Sequence, residues 1–143
     1  MNNKKFIKTK YTVAVNVAKS PHIVFRHLTH DVSKFWPEEL EGECSTLNDE
    51  FVFRMGDSHY SKNRVVELVP DKKVTWLVTD SLRKTDNYIW TGTKMIFELD
   101  PEGDHTVIVF TYDGVVFEDE YDRLVQICNE VIRKRLYNFI LVS

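Results

Sequence analysis

Histidine side chains are the first candidates for chemistry in this chain, because imidazole serves both as a general base and as a metal ligand. His27 and His30 lie three residues apart near the end of a predicted helix, and with Asp31 they could supply a weak set of metal ligands. The chain has no HExxH motif and no His/Cys spacing typical of metal sites. We therefore expect neither a metal nor a cofactor, and we expect the histidines to lie at the surface.

The two cysteines are not placed as nucleophiles. A reactive thiol needs a nearby cation or a helix N-terminus to lower its pKa, whereas Cys128 falls on the apolar stripe of a predicted helix and Cys44 on a predicted edge strand. The carboxylates between positions 38 and 43 are typical of a solvated face, and the glycines are too isolated to form a phosphate loop. We therefore predict no catalytic residues. Two cysteines far apart in sequence also fit a reducing compartment, so the expected location is cytoplasmic.

Tyr112 and Tyr121 are the polar side chains that best fit the wall of an interior site. A buried phenol normally has a hydrogen-bond partner, and that partner could be a ligand or a backbone carbonyl. Arg54, Arg64 and Lys94 lie within predicted strands, where an inward arginine could pair with an acidic ligand. Because a buried charge is costly without a partner, we expect these three side chains to point outward.

The length and charge of the chain limit the number of domains and the kinds of partner. The chain has 143 residues, of which 43% are hydrophobic, so a single domain over residues 1–143 with a sizeable core is expected. A net charge of -3 gives no electrostatic reason to bind nucleic acid. No stretch approaches 18 apolar residues, so a membrane partner is not expected either.

Hydrophobic periodicity predicts the elements that must position the candidate side chains. Strict alternation at 11–17 predicts a strand, Ser20-Pro21 begins a short helix, and Asp31 begins a second one. Apolar residues at helical spacing after Gly114 predict one long amphipathic helix of about 22 residues. Six further strands are predicted, at 39–46, 50–55, 61–69, 73–80, 87–99 and 105–115, with a turn at 100–103.

This order of elements separates the helices from the sheet, which is typical of an α+β fold. A single long helix must bury its stripe against the sheet, so we predict a seven-stranded antiparallel curved sheet that grips the C-terminal helix, with the two short helices at one end. Alternation predicts that Thr91, Thr93, Met95, Phe97 and Leu99 face inward together. The space between sheet and helix could be an apolar pocket or could be filled as an ordinary core.

Three segments carry a family resemblance: VTW at 74–76, WTGTKMIFEL at 90–99 and TVIVFTYDGV at 106–115. They resemble the domain related to the C-terminal part of the heat-shock-protein-90 ATPase activator, in the START and birch-pollen-allergen superfamily (SRPBCC). The resemblance implies a helix-grip fold with a hydrophobic cavity between sheet and helix. Tyr112 stands where family members often carry histidine, and Ile127 and Cys128 stand where they often carry glycine and tryptophan.

The leading hypothesis is non-enzymatic binding of a small lipophilic molecule between the sheet and the C-terminal helix. One alternative is a protein-interaction module, either chaperone-regulator-like or homodimerising, because Trp90 and Ile96 are predicted on the strand face opposite Met95 and Phe97. A less favoured alternative is a polyketide cyclase-like enzyme, which would need a polar pair inside the pocket. The predicted wall of the pocket consists of Phe53, Trp76, Met95, Phe97, Phe110, Tyr112, Tyr121 and Val125.

Overall fold

The computed structural model describes residues 5–56, 59–83 and 90–143, with only the backbone of Arg83. The strands are β1 (Phe6–Val17), β2 (Glu39–Gly42), β3 (Glu50–Met55), β4 (His59–Val69), β5 (Lys73–Arg83), β6 (Lys94–Glu102) and β7 (His105–Phe117). The short helices are α1 (Pro21–His30) and α2 (Val32–Phe35). The C-terminal helix consists of a 3-10 turn (Glu118–Glu120), α3 (Tyr121–Asn129), a π-helical segment (Glu130–Leu136) and α4 (Tyr137–Val142).

The strands form one antiparallel sheet, in the order β1-β7-β6-β5-β4-β3-β2. β1 pairs with β7 from Phe6 opposite Phe117 to Val17 opposite Thr106, so the first strand lies beside the last strand in the sheet. The predicted α+β fold, with a seven-stranded curved sheet, short helices and a long C-terminal helix, is confirmed.

β1 begins at Phe6, five residues before the predicted start at position 11. Thr9, Val13 and Val17 are buried at every fourth position, and the lysines at 8 and 10 are exposed on the other face. The lysines obscure the alternation of polar and apolar residues before position 11. The strand nevertheless extends to Phe6, because these residues pair with β7.

The predicted strand at 87–99 is corrected by the structure. Residues 87–89 lie outside the described residues, and β6 begins only at Lys94. Residues 90–93 form a turn in which the Thr93 N–H donates to the Trp90 carbonyl at 3.2 Å and Gly92 adopts a φ of +92°. The positive φ ends the strand, so Thr91 is exposed and is not part of the inward face predicted for it.

The C-terminal helix contains a π-helical segment for a reason visible in its buried stripe. Leu124, Cys128, Ile132, Leu136 and Ile140 are buried at intervals of four residues. In an α-helix such a stripe drifts around the axis by about 40° per step, since one turn holds 3.6 residues. The wider π turns offset this drift, so the stripe still faces the sheet at the end of the helix.

Gly114 of β7 provides the closest approach between β7 and the turn before β6. A Cβ atom at this position would lie 2.5 Å from Thr93 Cγ2 and 2.9 Å from Thr93 Cα. Thr93 is only 1% exposed, and its hydroxyl donates to the Trp90 carbonyl at 2.8 Å. Because Gly114 has no side chain, the turn that carries Trp90 can pack directly against β7.

We expect Gly114→Ala to lower the free energy of unfolding by about 1–3 kcal/mol, the usual cost of overpacking. Urea denaturation followed by circular dichroism measures this change. The control is Val115→Ala at the neighbouring exposed residue, which should stay within about 0.5 kcal/mol of the parent. Equal stability of the two variants would contradict the close contact with Thr93.

Candidate functional site

A small apolar cavity lies between the sheet and the C-terminal helix. Its volume is about 20 Å³, which is near the smallest space that can hold one water molecule. β6 and β7 form one wall, the C-terminal helix forms the other, and two tryptophans complete it. The lining residues are Trp36, Trp90, Met95, Phe110, Tyr112, Leu124, Ile127, Cys128 and Val131.

The predicted wall residues fall into three groups. Met95, Phe110 and Tyr112 line the cavity. The second group, Phe53, Trp76 and Phe97, is fully buried in an aromatic cluster beside it. The third group, Tyr121 and Val125, is half-buried on the C-terminal helix and does not belong to the lining. Ligand contact by these residues stays a prediction.

The lining residues missed from the sequence are Trp36, Trp90, Leu124, Ile127, Cys128 and Val131. The four on the helix follow the spacing i, i+3, i+4 and i+7 from Leu124, so this periodicity contained the signal to find them. Trp36 follows α2 and Trp90 belongs to the turn before β6, so their positions depend on tertiary packing. The predicted outward position of Trp90 was therefore wrong.

Aromatic rings fill most of the space next to the cavity. The Trp36 ring stacks on Phe53 with centroids 4.5 Å apart, and it meets the Trp76 ring edge-on at 5.6 Å. Trp76 in turn contacts Phe97 at 5.0 Å. Sites for small ligands usually measure about 300–1,000 Å³. In this conformation the interior is therefore a packed core with a small cavity between the sheet and the C-terminal helix.

Tyr112 supplies the phenol of the cavity. It is 1% exposed, and its hydroxyl donates to Thr93 Oγ1 at 3.1 Å. Burial raises the pKa of this phenol well above its ordinary value, although the hydrogen bond with Thr93 acts in the opposite direction. Tyr112 therefore stays neutral around neutral pH and offers the cavity a hydrogen-bonding group without charge.

Both cysteines are buried thiols. Burial raises the pKa of Cys128 to about 12. The pKa of Cys44 is raised to about 12 by burial and by the nearby carboxylates of Asp49 and Glu43. The thiolate, which is the nucleophile, is therefore suppressed at both positions.

His59 departs from the expectation that the histidines lie at the surface. Its side chain is 15% exposed, and its Nε2 atom lies 2.9 Å from the carboxylate of Glu38, which is 14% exposed. The Trp36 indole N–H donates to the other oxygen of Glu38 at 3.3 Å. The Trp90 ring lies edge-on to His59, with centroids 5.8 Å apart. A partly buried histidine–carboxylate pair therefore borders both tryptophans of the cavity.

His27 is the second histidine with little exposure, at 14%. Its Nδ1 atom lies 2.9 Å from Asp31 Oδ2, and its ring packs edge-on against Phe139. Burial raises the pKa of Asp31, but hydrogen bonds from His27 and Lys34 outweigh it, so that the pKa lies below its ordinary value. Within the described ranges, no group of three or more His, Cys, Asp or Glu side chains is arranged to hold a metal ion.

A second cavity, of about 200 Å³, lies where the end of β1 and the β6–β7 turn approach α4. Its lining residues include Val17, His105, Tyr137 and Leu141. None of the eight predicted wall residues lines this second cavity.

Comparison with known proteins gives matches in structure alone: no family model matches the chain, and no curated protein matches it in sequence. A solved structure of an uncharacterised protein from Rhizobium leguminosarum superposes with a TM-score of 0.79 at 12% identity, covering 97% of this chain and 98% of that one. The Aha1 dimer from Colwellia psychrerythraea matches with a TM-score of 0.65 at 19% identity, covering 86% and 96%. Major latex-like protein 151 from Panax ginseng matches with a TM-score of 0.65 at 12% identity, covering 88% and 93%.

The chain has a helix-grip fold, which it shares with these solved structures. This result confirms the fold that the resemblance of the three sequence segments implies. Because the sequence identities are all below 20%, these matches show a shared fold and not a shared function. None of the described helices combines the length and the hydropathy that spanning a membrane requires.

The buried thiols of the helix-grip core predict a loss of stability in alkali. A group whose pKa is raised by folding stabilises the fold fully below its unfolded pKa, near 8.5 for a thiol, and this contribution is lost as the pH rises through the folded value of about 12. We therefore expect the free energy of unfolding to fall between about pH 8.5 and pH 12, by up to about 1.4 kcal/mol per pH unit for each thiol.

Urea denaturation at several pH values measures this slope, and Cys128→Ala should make it shallower whatever the variant's stability at neutral pH. Cys44→Ala provides an independent second case. A slope that neither substitution changes would rule out the thiols as its cause.

Proposed function

We propose that the protein binds a small lipophilic molecule between the sheet and the C-terminal helix, without catalysing a reaction. The observation that carries the proposal is the cavity at this junction, whose accessible lining is apolar. Met95 contributes an unbranched, flexible side chain, which adapts its packing more readily than a branched one, and Cys128 contributes a small apolar one. These features support a site that enlarges around a ligand.

The eight predicted wall residues form this site in the proposal. Met95, Phe110 and Tyr112 contact the ligand first, because they already line the cavity. Phe53, Trp76 and Phe97 form the adjoining aromatic floor, and Tyr121 and Val125 lie at the edge on the C-terminal helix.

Burial of apolar surface supplies the affinity. At about 25 cal/mol per Å², about 250 Å² of ligand surface contributes about 6 kcal/mol before the costs of association. The site must also be opened from its packed state, which lowers the net affinity further. The proposal therefore concerns compact, rigid molecules, which lose little conformational freedom on binding.

A non-enzymatic role is supported by the groups that line the cavity. Tyr112 donates to Thr93 and is held neutral, and Cys128 is held as a thiol. The ionisable pair His59 and Glu38 contacts the Trp90 ring and the Trp36 indole N–H but is not part of the lining.

Titration with naphthalene, followed by NMR, tests the proposal. We expect saturable shifts of Met95, Phe110 and Tyr112, and we expect Cys128→Phe to abolish them because the new ring occupies the space into which the ligand would have to expand the cavity. The matched control is Gln126→Phe, which adds the same ring at an exposed position of the same helix. Absence of saturable shifts in the parent, or shifts that persist in Cys128→Phe, would refute binding at this site.

We propose homodimerisation as a second candidate function, on the basis of an apolar patch at the β1–β7 end of the sheet, where the exposed Phe6 and Val115 lie beside the half-buried Phe117. Phe6 is 64% exposed and Val115 is 52% exposed. The Phe6 and Phe117 rings lie 4.3 Å apart on this face. Exposed apolar patches often mark protein interfaces, and the Aha1 structure with the same fold is a dimer.

Light scattering over a range of protein concentrations tests the second candidate. We expect a mass that rises from one chain towards two, and we expect Phe6→Ser to restore the monomer. Leu47→Ser is the control, because Leu47 is similarly exposed, at 53%, but lies outside the patch. A parent protein that stays monomeric at every concentration would exclude the dimer.

A further inference from the structure

A strip of polar side chains runs along the inner face of β4. The β4 polar strip consists of His59, Ser61 and Asn63, which alternate with the outward-facing Tyr60 and Lys62. Their partners across the β3–β4 register are Met55, Phe53 and Phe51. Exposure falls along the strip from 15% at the His59 side chain to 4% at Ser61 and 0% at Asn63. The strip therefore leads from near the surface into the core.

Three polar atoms on and beside the strip have no hydrogen-bond partner among the described residues: His59 Nδ1, Asn63 Oδ1 and Trp76 Nε1. The orientation of the Asn63 amide is set by its NH₂ group, which donates to the Ser61 carbonyl at 3.1 Å. The Asn63 amide oxygen is therefore the atom without a hydrogen-bond partner among the described residues. Most buried polar atoms in native proteins are satisfied, and leaving one unpaired costs free energy.

The acceptor of Asn63 and the donor of Trp76 lie on neighbouring strands. Asn63 pairs with Val78 and Val65 pairs with Trp76, so Asn63 and Trp76 are diagonal neighbours on the inner face. Side chains in this relation are within reach of each other. Both are 0% exposed. The unpaired acceptor and the unpaired donor therefore belong to neighbouring buried side chains of the inner face.

The β4 polar strip adjoins the wall of the apolar cavity. Trp36 lines the cavity and stacks on Phe53, the strand partner of Ser61. Trp90 also lines the cavity, and its backbone N–H donates to Ser81, which pairs with Ser61 from the other side. A molecule that occupied the cavity and displaced Trp36 would therefore reach the strip.

We propose that the ligand carries a neutral hydroxyl group, which binds between Asn63 and Trp76, while its lipophilic body occupies the cavity. This inference rests on the proposed function. A hydroxyl is both donor and acceptor, so its O–H can donate to Asn63 Oδ1 while its oxygen accepts from the Trp76 indole N–H. Among the described side chains of the strip, only His59 can carry a positive charge, so the site offers hydrogen bonds rather than a permanent counter-ion for an acid.

The test compares 2-naphthol with naphthalene, which share the same ring system and differ in one hydroxyl. We expect the parent protein to bind 2-naphthol about tenfold more tightly, the net worth of the two hydrogen bonds after the hydroxyl has lost its own bonds with water. Asn63→Leu keeps the number of side-chain heavy atoms and removes the acceptor. It should reduce the ratio of the two affinities to about one while leaving naphthalene binding in place.

Ser61→Ala provides a milder second variant should Asn63→Leu fail to fold. It removes the hydroxyl that lies 3.5 Å from the Asn63 amide nitrogen, and it should lower the same ratio. Thr79→Ala, on the outer face of β5, is the control and should keep the parent ratio.

The outcomes separate the two proposals. If naphthalene does not bind, the proposed function fails, and the hydroxyl site fails with it. If naphthalene binds and the parent shows no preference for 2-naphthol, the lipophilic site stands and the hydroxyl site is overturned, with the polar atoms then assigned to an enclosed water. A preference that Asn63→Leu and Ser61→Ala leave unchanged overturns it as well.

Discussion

The packing of one helix against the inner face of a seven-stranded sheet is the constraint on which the rest of the structure depends. The apolar stripe from Leu124 to Ile140 must stay aligned with the sheet along the whole helix. Its four-residue interval does not match the α-helical repeat, and the π-helical segment Glu130–Leu136 absorbs the difference. The cavity lies beside the start of this segment, where Cys128 and Val131 face Phe110. The helical irregularity and the candidate site therefore belong to the same stretch of the molecule.

The C-terminal helix does not cover the whole inner face of the sheet, and the uncovered part of this face carries some polar side chains. Met55 shares the inner face of β3 with Phe51 and Phe53 but is 54% exposed, which places this corner of the sheet beyond the cover of the helix. His59 lies opposite Met55 and is paired with Glu38. Such a pair is tolerated here because both side chains keep contact with solvent, whereas full burial would impose a large desolvation cost.

The sequence predicted the architecture well because alternation and helical spacing act locally. The strand at β1 and the long C-terminal helix follow from residues that repeat with period 2 and 3.6. The turn at 90–93, where Gly92 has a positive φ, was missed because the strand-like pattern continues through it in sequence, and Thr93 packs against Gly114, which is distant in sequence. The pairing of His59 with Glu38 was missed for the same reason, since it joins β4 to the segment after α2. Side chains brought together by tertiary packing leave no periodic signal.

The packed interior decides how a ligand could enter. Moving the C-terminal helix would expose five buried residues of its stripe at once, each contributing about 1.5–3 kcal/mol. Moving the half-buried Trp36 side chain breaks one stack with Phe53, one edge-on contact with Trp76 and one hydrogen bond to Glu38. An aromatic pair contributes only about 0.5–1.5 kcal/mol beyond its buried area. Opening at Trp36 therefore costs less than moving the helix, and in the proposed function a rigid aromatic ligand would replace the lost stack with its own ring on Phe53.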